Sequence, residues 1–125
     1  MSTTSTILII DDDDCIRRLC LRILKKLNYT TMEAETGQVG YDLFADHVNS
    51  VAAILLDLNL PDGSGINWAE KLQALKAEIP VIFFTGTHHM SSMKVDHARR
   101  FFLKKPFTPD DMSAVLNMAI EAVSA

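Results

Sequence analysis

Positive charge is scarce in this chain: 12 lysines and arginines face 16 aspartates and glutamates, a net charge of −4. A nucleic-acid surface needs clustered cations against phosphate, so no direct nucleic-acid partner is expected. Long apolar runs are also missing. None approaches the roughly 20 residues of a membrane span, and Met1 to Ser5 is too short and polar for a secretory signal. No membrane partner is expected. Cysteine is limited to Cys15 and Cys20. On one helix these two point in different directions and do not readily bridge, which suits a reducing compartment, with the cytoplasm as the expected location. Glycine is absent where a dinucleotide site would need it. The first apolar run ends instead in Asp11-Asp12-Asp13-Asp14, which would repel a pyrophosphate. Repeats, low-complexity tracts and linkers are lacking too, so residues 1–125 read as a single domain able to bury its own core.

What is present alternates between two periods. Thr6 to Ile10 is an apolar strand, and from Asp14 the pattern turns helical, with Ile16, Leu19, Cys20, Ile23 and Leu27 at three- and four-residue steps. Arg17, Arg18, Arg22, Lys25 and Lys26 fall on the other faces. Acidic residues open this helix, basic ones close it, and Asn28 offers a left-handed stop. Thr30 to Ala34 is a more polar strand, suited to a place near the sheet edge. Gly37 to Val48 reads as a helix with Val39, Leu43, Phe44 and Val48 on its apolar face. The strand 52–56 is the most hydrophobic, and Asp57 closes it before the loop Leu58-Asn59-Leu60-Pro61-Asp62-Gly63. Ser64 or Gly65 opens a third helix carrying Ile66, Ala69, Leu72 and Leu75. Pro80 to Phe84 is a fourth strand, 90–98 a short helix with broken periodicity, and Phe101 to Leu103 a fifth strand. Thr108 caps a last helix helped by Pro109, Asp110 and Asp111 and packed through Met112, Val115, Leu116, Ala119, Ile120 and Val123.

Five strands alternating with five helices imply an α/β, doubly wound parallel sheet covered on both faces, a three-layer sandwich. Ligands of such sheets sit beyond the carboxyl ends of the strands. Those ends carry Asp11 and Asp12, Asp57, Thr85 and Lys105. Carboxylates gathered there repel by roughly 4 kcal/mol per pair at 4 Å in a partly screened site. A hard cation removes that penalty, and Mg²⁺ suits it because it takes few carboxylates and then accepts phosphate oxygens. An aspartate nucleophile, a metal, a lysine and a hydroxyl are the parts needed to accept a phosphoryl group.

With these residues the sequence resembles a response-regulator receiver domain, the phosphoacceptor module of two-component phosphorelay signalling. The likeness runs from Leu8-Ile9-Ile10-Asp11-Asp12 to the last helix. It includes Asp57 with Leu58-Asn59-Leu60-Pro61, Thr85-Gly86, and Lys105-Pro106-Phe107. The resemblance implies a flavodoxin-like strand order 2-1-3-4-5, the order for which the doubly wound fold is known in this family. It also implies that Asp57 is phosphorylated by a sensor histidine kinase or a histidine phosphotransfer protein. Mg²⁺ would be held by Asp12, Asp57 and the backbone carbonyl of Asn59, with Asp11 acting through a water. Lys105 would pair with Asp57, Thr85 would swing toward the phosphoryl group, and Phe102 would occupy the aromatic switch position. The Lys105–Pro106 bond is typically cis in such domains. Phe102 has no hydroxyl, so a switch there works by packing. The module would catalyse only its own phosphorylation and dephosphorylation, and would act on a downstream effector protein or domain.

Blander readings compete. Asp11 and Asp12 alone would suit a solvated helix start, Thr85 an ordinary strand, and Lys105 a surface site like Lys104; strand alternation separates the two lysines. His88-His89 reads as a solvated pair and not as a metal site. Met90, Met93 and Val95 read as core filler or as an adaptable partner surface. Trp68 on the third helix reads as a half-buried packing residue. As alternatives at the level of function, a pseudo-receiver would keep the fold as a phosphorylation-independent binding module. A phosphohydrolase would want a carboxylate where Asn59 stands.

Overall fold

The computed structural model describes residues 5–85 and 99–124. Chain order is β1 (Thr6–Ile10), α1 (Asp14–Lys26), β2 (Thr30–Ala34), α2 (Gly37–Asp46), β3 (Val51–Asp57), α3 (Gly65–Leu75), β4 (Val81–Thr85), β5 (Arg100–Lys104) and α4 (Pro109–Ser124). The strands form one parallel sheet in the order β2-β1-β3-β4-β5. The doubly wound arrangement read from the sequence and the strand order implied by the resemblance are therefore present. The helix expected over 90–98, His88-His89 and the Met90, Met93 and Val95 group lie outside the described residues. Among the described residues, no helix is long and apolar enough to cross a membrane.

Alternation along the strands divides the core in two. Ile7, Ile9, Ala53, Leu55, Ile82, Phe84 and Leu103 face α1 and α4. Leu8, Ile10, Ile54, Leu56, Val81 and Phe83 face α2 and α3, where Phe44, Trp68, Ala69 and Leu72 close the layer. Central strands buried on both faces account for the unbroken apolar run of β3. The polar β2 is an edge strand, as its composition implied. Trp68 is a packing residue, as read, but it is buried at 7% exposure and not half-buried.

The helix ends are set by local chemistry. The Asp13 carboxylate accepts hydrogen bonds from the Cys15 and Ile16 amides and so caps α1. At the other end Asn28 adopts a left-handed φ of 69°. There the Tyr29 amide donates to the Leu24 carbonyl and the Asn28 amide to the Lys25 carbonyl. This is a Schellman closure with Asn in place of Gly. Ser64 caps α3 through the Ile66 amide. Thr108 and Asp111 form a reciprocal cap at α4: the Asp111 amide donates to Thr108 Oγ1 at 3.1 Å, and the Thr108 amide to Asp111 Oδ2 at 2.9 Å. Thr108→Ala is expected to cost about 1 kcal/mol in urea denaturation; a loss within error of zero would mean that this cap contributes nothing.

Several boundaries differ from the sequence reading. The second helix ends at Asp46 and not at Val48, because His47 leaves helical geometry at φ −130° before the chain enters β3. β3 is longer than 52–56 and includes Asp57, whose position pairs with Phe84 of β4. β4 starts at Val81 and runs to Thr85. β5 gains Arg100 and Lys104 by pairing along the full length of β4. Leu19, Val39 and Leu75, assigned to apolar faces, are exposed, while Leu24 is buried.

Candidate functional site

The register of β1 on β3 brings the first two elements of the site together. Ile10 lies opposite Leu56, so the next positions, Asp11 and Asp57, leave the sheet side by side. Both continue the alternation of Ile9 and Leu55 toward the α1 and α4 side of the sheet. Asp12 follows in the turn before α1. Carboxylate oxygens of Asp11, Asp12 and Asp57 all lie within 4.8 Å of one another. Asp11 is fully buried, Asp57 half-buried and Asp12 exposed.

Asp11 is nearly saturated. Its amide donates to the Ala34 carbonyl at 3.1 Å, and its Oδ1 accepts from the Asp13 amide at 2.8 Å. Its Oδ2 is buried without a hydrogen-bond partner. The nearest cation is Lys105 Nζ at 3.8 Å. Burial is the main reason the Asp11 carboxyl is raised from 3.8 to about 6; the neighbouring charges of Asp57 and Asp12 add to it, while the Asp13 amide and Lys105 oppose it. A buried carboxylate oxygen without a hydrogen bond, beside two further carboxylates, is the donor set that a hard divalent cation fits. Asp11, Asp12 and Asp57 would hold it.

Lys105 and Thr85 approach from the far side of the sheet. The Lys105 amide donates to the Thr85 carbonyl at 2.7 Å, locking the end of β4 to the residue after β5. The Lys105–Pro106 bond is cis. Lys105 Nζ also lies 5.4 Å from the centre of the Phe84 ring, which stacks on Phe107. The expected pairing of Lys105 with Asp57 is corrected here: its ion pair falls on Asp11. The reason is burial, since the fully enclosed Asp11 has the greater need of a counter-charge. Thr85 is buried, and its hydroxyl has no hydrogen-bond partner. The Asn59 amide reaches Asp57 Oδ1 at 3.4 Å. Phe102 stacks on Phe83 with centroids 5.6 Å apart, a purely apolar contact.

The sequence model of the response regulator receiver domain matches residues 7–117. The chain belongs to the receiver-domain family. This receiver is 35% identical over 111 residues to the transcriptional regulatory protein SrrA of Staphylococcus aureus, an alignment covering 87% of the chain and 45% of SrrA. It thus spans about half the length of the curated relatives it matches. It superposes on a response regulator receiver domain protein from Clostridium thermocellum with a TM-score of 0.84 at 26% identity, covering 94% of each chain. A CheY-like receiver protein from Methanospirillum hungatei gives a TM-score of 0.83 at 25% identity, covering 98% of each. The receiver of a two-component response regulator is therefore the level of function that these likenesses carry.

Two residues around the receiver's site escaped the sequence reading. Arg17, placed off the apolar face of α1, is buried at 7% exposure. Burial disfavours its charge, but hydrogen bonds to Glu33 and Asp14 outweigh that and raise its pKa above the ordinary value. The signal was available: Arg17, Cys20 and Leu24 recur at helical spacing on the buried stripe of α1. Asp62 reaches from the β3–α3 loop to the start of α2, where its two oxygens accept from the Gly37 and Gln38 amides at 2.8 and 2.9 Å. Those bonds hold its carboxyl below the usual range despite the opposing effect of burial. No local pattern announces a cap supplied from 25 residues away. Asp13 and Asp14 extend the acidic run without joining the site, one capping α1 and the other pairing with Arg17.

Proposed function

We propose that the chain is a phosphorylation switch in which Asp57 accepts a phosphoryl group from a phosphohistidine donor. An Asp57 carboxylate oxygen attacks phosphorus, the P–N bond breaks, and its electron pair returns to the imidazole, which takes up a proton. Mg²⁺, held by Asp11, Asp12, Asp57 and the Asn59 carbonyl, would offset the charge gathered on the carboxylates and phosphoryl oxygens. Lys105 supplies a fixed positive charge at the same place, and exchanges its present partner Asp11 for the phosphoryl oxygens. The unpartnered hydroxyl of Thr85 donates to one of those oxygens, which gives phosphorylation a differential contact between two states. Movement of Thr85 then alters the packing of Phe102 and of the surface formed with Lys104, Pro106 and Met118. The chain catalyses only its own phosphorylation and dephosphorylation. Its donor is a sensor histidine kinase or a histidine phosphotransfer protein, and its target a downstream effector protein or domain.

The observation that carries this reading is the buried, hydrogen-bond-deficient Oδ2 of Asp11 beside Asp12 and Asp57. Intact mass after incubation with Mg²⁺ and acetyl phosphate tests it. The expected result is the gain of one phosphoryl group that requires Mg²⁺ and is absent in Asp57→Asn. Unchanged mass with acetyl phosphate and with a phosphohistidine donor, together with no Mg²⁺ binding by calorimetry, would replace this reading with a pseudo-receiver.

A further inference from the structure

Every polar group of Asp11 except Oδ2 is held, and one of those holds comes from a residue that the functional reading does not use. Arg17 Nη1 donates to the Asp11 carbonyl oxygen at 2.6 Å. That oxygen belongs to the peptide unit joining Asp11 to Asp12, so anchoring it restrains ψ of Asp11 and φ of Asp12 together. These two torsions decide where the two carboxylates point relative to each other and to Asp57. The guanidinium is itself fixed. Its Nε donates to Glu33 Oε1 on β2 at 3.0 Å, and its Nη2 pairs with Asp14 in the first turn of α1. Arg17 therefore joins the end of β1, the neighbouring strand and the start of α1 through one rigid fork, which a lysine cannot reproduce.

On the functional reading above, we infer that Arg17 is a positioning residue, orienting the Asp11–Asp12 peptide so that the site binds its divalent cation. Charge alone predicts the opposite sign. A cation close to a metal site opposes a second cation, so removing it would tighten Mg²⁺ binding if Arg17 acted only through the field. Loss of a group that orients ligands weakens it.

Mg²⁺ calorimetry on the natural chain, Arg17→Gln and Arg17→Lys separates these. Circular dichroism confirms that each is folded at the assay temperature. Arg17→Gln is expected to weaken Mg²⁺ binding by about tenfold, with Arg17→Lys between it and the natural chain. Equal or tighter binding in folded Arg17→Gln overturns the inference. Should that variant fail to fold, Arg17→Lys decides alone: weaker binding with the charge retained supports positioning, and unchanged binding overturns it. A natural chain that binds no Mg²⁺ overturns this inference together with the metal part of the functional reading, a result distinct from normal binding in all three proteins, which overturns the inference alone.

Discussion

Asp11→Asn is expected to stabilise the metal-free protein at pH 7 by about 2 kcal/mol while abolishing its response to Mg²⁺. Asn keeps the shape of Asp and an oxygen able to accept from the Asp13 amide, as Oδ1 does now. It removes a buried negative charge whose Oδ2 has no hydrogen bond and whose neighbours are Asp12 and Asp57. The pKa of Asp11 gives the sign. Folding raises it from 3.8 to about 6. Below pH 3.8 the group is protonated in both states and brings no penalty. As pH rises toward 6, the unfolded chain loses the proton first and the folded state is progressively disfavoured. Above 6 the penalty is complete, at about 3 kcal/mol. The variant recovers most of this, less the cost of burying an amide and of leaving Lys105 without its ion pair. Urea denaturation from pH 4 to 8 measures it. The stability difference should be small at the acid end and grow through pH 6. Adding Mg²⁺ should raise the melting temperature of the natural chain and leave the variant unchanged. A variant less stable than the natural chain at pH 7 without metal would refute the account.

Gly65→Ala is expected to lower stability by about 3 kcal/mol and the melting temperature by about 10 °C. A Cβ at Gly65 would sit 2.3 Å from the Asp57 carbonyl oxygen, 2.9 Å from the Leu58 Cα and 3.1 Å from the Asp57 carbonyl carbon. All three are backbone atoms, so no rotamer change relieves the clash. The contact is close because the Gly65 amide donates to the Leu58 carbonyl at 2.8 Å, folding the start of α3 back on the end of β3. Between them Asn59–Leu60 pairs antiparallel with Gly63–Ser64 in a small hairpin. The methyl must push the backbone that carries Asp57 out of line. Phosphorylation of the folded variant should therefore slow as well. Asn67→Ala, at an exposed position on the same helix, provides the comparison and should stay within about 0.5 kcal/mol of the natural chain. Equal melting of the two variants would show that the close approach is not there.

The candidate site was legible because its parts sit at strand ends, and strand ends are marked by where apolar runs stop. Asp11 after Ile10, Asp57 after Leu56 and Thr85 after Phe84 are each one step beyond a buried residue. Two helix starts were legible for a similar reason: Ser64 and Thr108 act on amides two or three residues away. Boundaries were less so. β5 extends beyond its apolar centre because hydrogen bonds to β4 hold Arg100 and Lys104, whatever their polarity.

Other features depended on contacts between distant residues. Arg17 meets Glu33 across 16 residues, and Asp62 meets Gly37 across 25. In each case a charged side chain reads as solvent-exposed until the sheet brings its partner alongside. Lys105 shows the same division. Sequence alone was enough to place a lysine after the fifth strand and three carboxylates after the first and third, because periodicity and strand ends are properties of neighbouring residues. Which carboxylate takes the lysine was decided only in the folded protein. There Asp11 is sealed from water while Asp57 keeps part of its hydration, and a charge that has lost its water draws the counter-ion.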